Sequence, residues 1–185
     1  MSIVARGLSR LLHCRLVRSL TPEWLKDRYR RLRDRVLRSR YEPRRFWTRF
    51  GRTYMQRFPP GGSRCEEMIL DRLAELRPRS LLDVGCGYGR YLRAVAERMP
   101  GVRLCGLDIS PTQIAHARRH LAAHPDVALI VSPATTLPFA DQSFDVVLTY
   151  SLMIHLREHE VDCFLAEAKR VCRGWGLFLE SCINP

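Results

Sequence analysis

Ser80-Leu-Leu-Asp-Val-Gly-Cys-Gly-Tyr-Gly-Arg90 decides how this 185-residue chain is read. Leu81 to Val84 are β-prone and run straight into glycines at alternate positions, Gly85, Gly87 and Gly89. Helical spacing resumes at once, with Leu92, Val95, Ala96 and Met99 on one face. A buried strand that stops at a glycine turn and opens a helix makes a ligand cradle. Glycine lets the backbone pass close to a bound molecule, and the free N–H groups of a helix start favour a negative group.

Outward from that turn, strands and helices alternate. Val102 to Asp108 reads as a second strand ending in a carboxylate. Ser110-Pro-Thr-Gln113 reads as a capping box opening a helix that buries Ile114, Ala117 and Leu121. Val127 to Val131 and Phe144 to Tyr150 read as the third and fourth strands. Glu158 to Cys172 reads as a helix with Val161, Phe164, Leu165, Ala168, Val171 and Cys172 inward, stopped by Gly174 before a fifth strand, Trp175 to Glu180. Upstream, Ser63-Arg-Cys-Glu66 is a second capping box, for a helix burying Ile69, Leu73 and Leu76. This alternation predicts an α/β fold: a Rossmann-like, doubly wound, mostly parallel sheet with right-handed crossovers. Ligands of such sheets bind at the carboxyl ends of the strands, where the strand order reverses.

The spacing of the glycines discriminates between cofactors. A dinucleotide fingerprint needs glycine at position 90, where Arg90 stands, and this disfavours a nicotinamide-dependent oxidoreductase. Asp83-x-Gly85-x-Gly87-x-Gly89 resembles motif I of the class I S-adenosylmethionine-dependent methyltransferases. Leu137-Pro138-Phe139 followed by Ser143-Phe144-Asp145 resembles the type-11 domain of that family. The resemblance covers residues 46–182 and implies S-adenosyl-L-methionine as cofactor. It places Asp83, Gly85, Cys86, Gly87 and Gly89 at the methionine end of the cofactor. Asp108 and Ile109 fall at the ribose, because a carboxylate ending the second strand can accept both sugar hydroxyls. Adenine falls to Ala134 and Thr135, where Pro133 replaces the acid usual in the family.

Tyr150 to Leu156 would face the transferred methyl, with Tyr150 itself expected among the cofactor-binding residues. Tyr150-Ser151-Leu152 replaces the Asn/Asp-Pro-Pro-aromatic signature of amino methyltransferases, which speaks against a nucleobase amine as acceptor. His155 is a candidate general base for a hydroxyl nucleophile, set against a hydrogen-bonded structural histidine. No metal site is expected. Members of the family carry two more strands after the fifth. Their absence from this chain implies either a fragment or a protein partner covering the fifth-strand edge.

Charge separates the chain into two parts. Residues 1–60 hold 17 Lys+Arg against 4 Asp+Glu, whereas the other 125 residues hold 14 against 15. Residues 1–45 therefore read as a basic helical arm and 46–185 as the methyltransferase domain, with 46–62 as lid and hinge. Residues 1–20 have the composition of a transit peptide or membrane-surface helix; the other reading is a helix docked on its own domain. A second helix from Thr21 carries arginines suited to anionic lipid, to RNA phosphates, or simply to solvent.

Phe46-Trp47-x-x-Phe50-x-x-x-Tyr54-x-x-x-Phe58 is a stripe at helical spacing, ended by Pro59-Pro-Gly-Gly62. It is either a lid, with Trp47 and Tyr54 toward the substrate, or plain core packing. Seven cysteines without a C-x-x-C pair read as reduced core thiols of a cytoplasmic protein, with the basic arm allowing a peripheral place on a membrane. No run of 18 apolar residues is present to span one. The expected activity is methyl transfer to a small-molecule acceptor of lipid, quinone or sugar-linked type. An RNA acceptor, or an inactive cofactor-binding accessory subunit, are the alternatives.

Overall fold

Five strands, β1 (Ser80–Val84), β2 (Arg103–Asp108), β3 (Ala128–Val131), β4 (Phe144–Tyr150) and β5 (Cys172–Leu179), pair side by side in the order β3-β2-β1-β4-β5, every pair parallel. The computed structural model describes residues 42–57 and 64–180. Residues 1–41 of the basic arm, Phe58, the Pro59–Gly62 hinge, Ser63 and Cys182 lie outside the described residues, whereas the last residues of that arm, from Pro43, already belong to the helix that carries Trp47 and Tyr54. Helices α1 (Pro43–Arg57), α2 (Arg64–Leu76), α3 (Arg90–Arg98), α4 (Pro111–His120) and α5 (Glu158–Val171) complete the framework, with a 3₁₀ turn at Met153–His155.

β1 is buried along its whole length because both faces are covered, which is why it reads as an unbroken apolar run. Leu82 and Val84 point with Cys105, Leu107 and Val147 into a layer closed by Phe164, Ala168 and Val171 of α5. Leu81 points the other way, with Leu104, Val146 and Leu148, onto α2 (Ile69, Leu73), α3 (Leu92, Val95) and α4 (Ile114, Ala117). Asp83 shares that second face.

Two expectations are corrected near the C-terminal end. Leu165 is 39% exposed, because it lies about 100° around the helix from Phe164 and so leaves the buried stripe. Gly174 does not stop α5: the helix gives way at Cys172 directly to β5, and Gly174 lies inside that strand. The β4–β5 register shifts between Phe144 and Val146, and a Cβ at 174 would run into the carbonyl oxygen of Asp145. Glycine is there for the close backbone approach at a bulge.

No helix forms between β3 and β4. The Leu137-Pro138-Phe139 segment is instead clamped by Arg170, which donates to the carbonyls of Leu137 and Phe139 (2.9 and 2.7 Å) and pairs with Glu167 and Asp141. Glu167 in turn accepts the Leu137 N–H at 2.7 Å. Among the described cysteines, Cys86 and Cys105 are core thiols and Cys65 and Cys172 half-buried, whereas Cys163 faces solvent from the outer side of α5.

Asp145 ties the starts of β1 and β4 together. One carboxylate oxygen accepts the N–H groups of Arg79 and Ser80 at 2.8 and 3.0 Å, and Arg173 pairs with the other. The Arg173 hydrogen bond, helped by the Arg79 N–H and the Ser80 hydroxyl, holds its carboxyl down at about 2. A depressed folded-state pKa adds stability above the unfolded value near 4 and loses it as pH falls through about 2. Asp145→Asn is therefore expected to flatten the acid limb of a thermal-melt series run from pH 5 to pH 2. An unchanged acid limb would refute the assignment.

Candidate active site

The floor of the site is the end of β1 and the turn that follows. Gly85, Gly87 and Gly89 have φ of +76°, +56° and +80°, the left-handed region in which a side chain is strained. The turn folds back onto β2, with the N–H groups of Gly85 and Cys86 both donating to the carbonyl of Leu107 (2.7 and 3.0 Å). At the end of β2, Asp108 accepts the Gly87 N–H on Oδ2 (3.0 Å) and the Ser110 N–H on Oδ1 (2.8 Å). Its carboxylate is thus fixed by backbone, and each oxygen keeps a lone pair for a ligand.

This arrangement corrects the capping box read at Ser110. The Ser110 hydroxyl does accept the Gln113 N–H (3.3 Å), but its own N–H is taken by Asp108. The Gln113 side chain does not complete the box, and its Oε1 is buried without a partner.

Asp83 is 1% exposed, and its Oδ2 likewise has no partner. Burial, and then the neighbouring Asp108, push its carboxyl up to about 8. Burial also lifts Asp108, to about 6, against the pull of its two N–H donors. Two buried carboxyls that repel each other across a glycine turn favour a ligand bearing positive charge and hydroxyl donors. An adenosyl compound with an amino-acid tail has both. The residues fit that group: Asp83 and the turn would hold the tail, and Asp108 the ribose.

The end of β4 forms the third side. Tyr150 packs at a tilt against Tyr91, with ring centroids 5.2 Å apart and the planes 50° from parallel. Ser151 takes φ +56° and donates its N–H to Leu179 at 2.8 Å. Leu152 fills the space beside Gly85, 3.1 Å from where a Cβ would stand. The following 3₁₀ turn is held by Glu180, whose carboxylate accepts the N–H groups of Met153 and Ile154 (3.1 and 3.3 Å). That turn carries His155, half-buried, with burial alone pushing its imidazole down to about 4.

α1 is the roof. Trp47 meets His155 edge-on at 4.8 Å, on the β4 side. Thr48 reaches the Ser110 hydroxyl at 3.5 Å, and Gly51 sits over Gln113, on the α4 side. Tyr54 lies 3.9 Å from the Cβ position of Gly87, and burial followed by the Tyr150 charge raises its hydroxyl pKa. Trp47 and Tyr54 therefore face the crevice, while Phe46 is 42% exposed. Ile109 follows Asp108 at the crevice edge, half-buried. Ala134 packs its methyl into the core beside Leu137, so contact with adenine there would fall to the backbone and to half-buried Thr135. Sequence reasoning missed Glu180, Tyr91, Thr48 and Gln113 as parts of the site. Gln113 had drawn notice only as a cap, and Glu180 only as the end of a strand.

A protein-family model described as a methyltransferase domain matches residues 81–176, more than half of the chain. The chain belongs to the methyltransferase-domain family. The matched part of the methyltransferase domain begins in β1 and ends in β5, so it holds the floor and both walls, whereas the α1 roof lies outside it. Among curated proteins it is 34% identical over 116 residues to malonyl-(acyl-carrier protein) O-methyltransferase of Xylella fastidiosa, covering 63% of this chain and 39% of that protein. It is 36% identical over 124 residues to a probable S-adenosylmethionine-dependent methyltransferase of Mycolicibacterium smegmatis, covering 65% and 45%. The chain thus spans less than half the length of either relative. Among solved structures, the PH0226 protein of Pyrococcus horikoshii superposes with a TM-score of 0.55 at 25% identity, covering 68% of this chain and 64% of that one.

Proposed function

We propose that this methyltransferase domain binds S-adenosyl-L-methionine and directs its methyl group to a small-molecule acceptor, of lipid, quinone or sugar-linked type. The observation that carries the reading is the buried Asp83 carboxyl with an orphaned oxygen, set one glycine turn away from the backbone-anchored Asp108. When bound, the cofactor supplies a methyl group already activated on a sulfonium. The protein's part is then to align the acceptor and exclude water, and no triad or metal cluster is required.

Each wall has a task on this reading. Asp83 and the glycine turn fix the tail, Asp108 fixes the sugar, and Tyr150 to His155 form the acceptor side. Trp47 and Tyr54 close the crevice from above. His155 stands in the right place for a hydroxyl acceptor, and at neutral pH its imidazole is uncharged. A group titrating near 4 is a weak base, however. On this reading His155 orients the acceptor rather than taking its proton, which passes to solvent as the methylated product leaves. His155→Gln is expected to lower kcat/KM by about tenfold or less, roughly 1.4 kcal/mol. A loss of a thousandfold or more would return it to the role of general base.

The direct test is transfer of a labelled methyl group from S-adenosylmethionine to panels of hydroxylated lipids, quinols and glycosides, followed by mass spectrometry. Binding without transfer to any acceptor class would favour a cofactor-binding accessory subunit. Transfer to RNA, steeply weakened by added salt, would favour the nucleic-acid reading carried by the basic N-terminal stretch.

A further inference from the structure

Gln113 is the polar side chain that the site does not yet account for. It stands in the first turn of α4, 1% exposed, and its amide nitrogen lies 3.6 Å from the Cβ position of Gly87. Above it is Gly51 of the roof helix. A Cβ built there would come within 3.1 to 3.3 Å of the Gln113 Cγ, Cδ and Oε1 atoms. The carboxamide is thus pressed between the glycine turn and the roof, and its Oε1 meets no donor. Leaving a buried carbonyl oxygen unpaired is costly, so a ligand that supplies the donor recovers that cost.

The local chemistry says which donor it is. Asp108 Oδ2 bonds the N–H of Gly87, the same glycine that the Gln113 amide flanks. A sugar held by Asp108 therefore has Gln113 beside it, and a ribose offers two hydroxyls. The usual alternative, that glutamine serves as the reciprocal cap of its own helix, is closed because Asp108 already occupies the Ser110 N–H.

We propose that Gln113 is a cofactor ligand and the seat of the roof helix: its Oε1 accepts a ribose hydroxyl of the bound adenosyl compound, and Gly51 of α1 closes against the same carboxamide. This rests on the reading of Asp83 and Asp108 as the cofactor site. It adds a specificity: α1 packs well only when the carboxamide is held in place from below. Occupancy of the sugar site and closure of the roof are then one event, linked through a single side chain. A methyl group at 51 would fit only if the carboxamide gave way by a few tenths of an ångström.

The test uses the full chain and reads binding, not turnover. Gln113→Met keeps the volume and removes the acceptor; Gln113→Leu is a second variant in case the first packs poorly. Removing an unpartnered oxygen is expected to leave the melting temperature of the ligand-free protein unchanged or raised. By calorimetry, S-adenosylhomocysteine should bind about tenfold more weakly, and 5′-methylthioadenosine, which keeps the ribose but has no amino-acid tail, should lose the same factor. Gly51→Ala should weaken both ligands too, and Gly51→Ala combined with Gln113→Met should be no weaker than Gln113→Met alone. Ligand-induced protection of α1 against hydrogen exchange should shrink in step. Unchanged dissociation constants in both Gln113 variants would overturn the proposal, as would a loss confined to the ligand with a tail. If the unaltered protein binds neither ligand, the reading of the whole site fails, and that outcome is separate from any difference between variants.

Discussion

Asp83→Asn is expected to yield a protein that melts at a higher temperature and no longer holds its cofactor. The first half follows from linkage. In the ligand-free fold burial, reinforced by Asp108, raises the Asp83 carboxyl to about 8, whereas in the unfolded chain it titrates near 4. Below about pH 4 both states are protonated and the residue costs nothing. As pH rises from 4 to 8 the unfolded state gives up its proton and the folded state does not, so stability drains by as much as about 1.4 kcal/mol per pH unit. Asparagine has the same shape and no proton to lose. By pH 5.5 the gain is on the order of 2 kcal/mol, which for a chain of this length is roughly 4–8 °C, and it grows further toward pH 7.5. The gain should vanish near pH 4, and thermal melts across that range measure it.

The second half uses the same carboxyl. A ligand whose tail carries a positive charge draws the proton off Asp83, so wild-type affinity is expected to rise with pH through the window from about 6 to about 8, where Asp108 and then Asp83 titrate. Asparagine offers neither charge nor that titration. Binding of S-adenosylhomocysteine should fall at least a hundredfold, about 2.8 kcal/mol, and the upper part of the pH dependence should disappear. A variant that gains stability yet binds as well as wild type would separate Asp83 from the ligand altogether.

Much of this was readable before any coordinates. The run from Leu81 to Gly89 needs only local sterics to be recognised, since a buried strand and a positive-φ turn each leave their own residue types. The position of Asp108 was legible too, as a carboxylate closing an apolar strand, but its hold on the Gly87 and Ser110 N–H groups was not. What escaped was whatever depended on a neighbour distant in sequence. Gly174 looks like a helix stop until the carbonyl of Asp145, from another strand, is set against it. Trp47 and Tyr54 fit a lid and a core equally well until α1 is seen to bridge α4 and the β4 side. Glu180, just past the fifth strand, leaves no sequence pattern, because its partners are backbone N–H groups that any residue could supply. Gln113 was misread through competition. Ser-x-x-Gln describes a capping box only when nothing else claims the serine N–H, and Asp108, two residues earlier, does.

Asp108→Ala is expected to cost the site twice. The direct loss is the pair of acceptors for the sugar hydroxyls, charge-assisted bonds worth about 1.5–3 kcal/mol each before water takes their place. The indirect loss is structural, because the N–H groups of Gly87 and Ser110 both lose their acceptor at once, one in the glycine turn and one at the start of α4. Calorimetry with S-adenosylhomocysteine should show binding ten- to a hundredfold weaker, about 1.4–2.8 kcal/mol. Hydrogen exchange should quicken at Gly87 and Ser110 even with no ligand present. Asparagine at this position separates the two contributions. It restores one oxygen, but its amide must then face one of the two N–H donors, an arrangement in which neither group finds an acceptor. Asp108→Asn should therefore bind closer to the alanine variant than to wild type while matching its size and packing. Wild-type binding by the asparagine variant would mean that the carboxylate serves the turn alone, and that the sugar is gripped elsewhere.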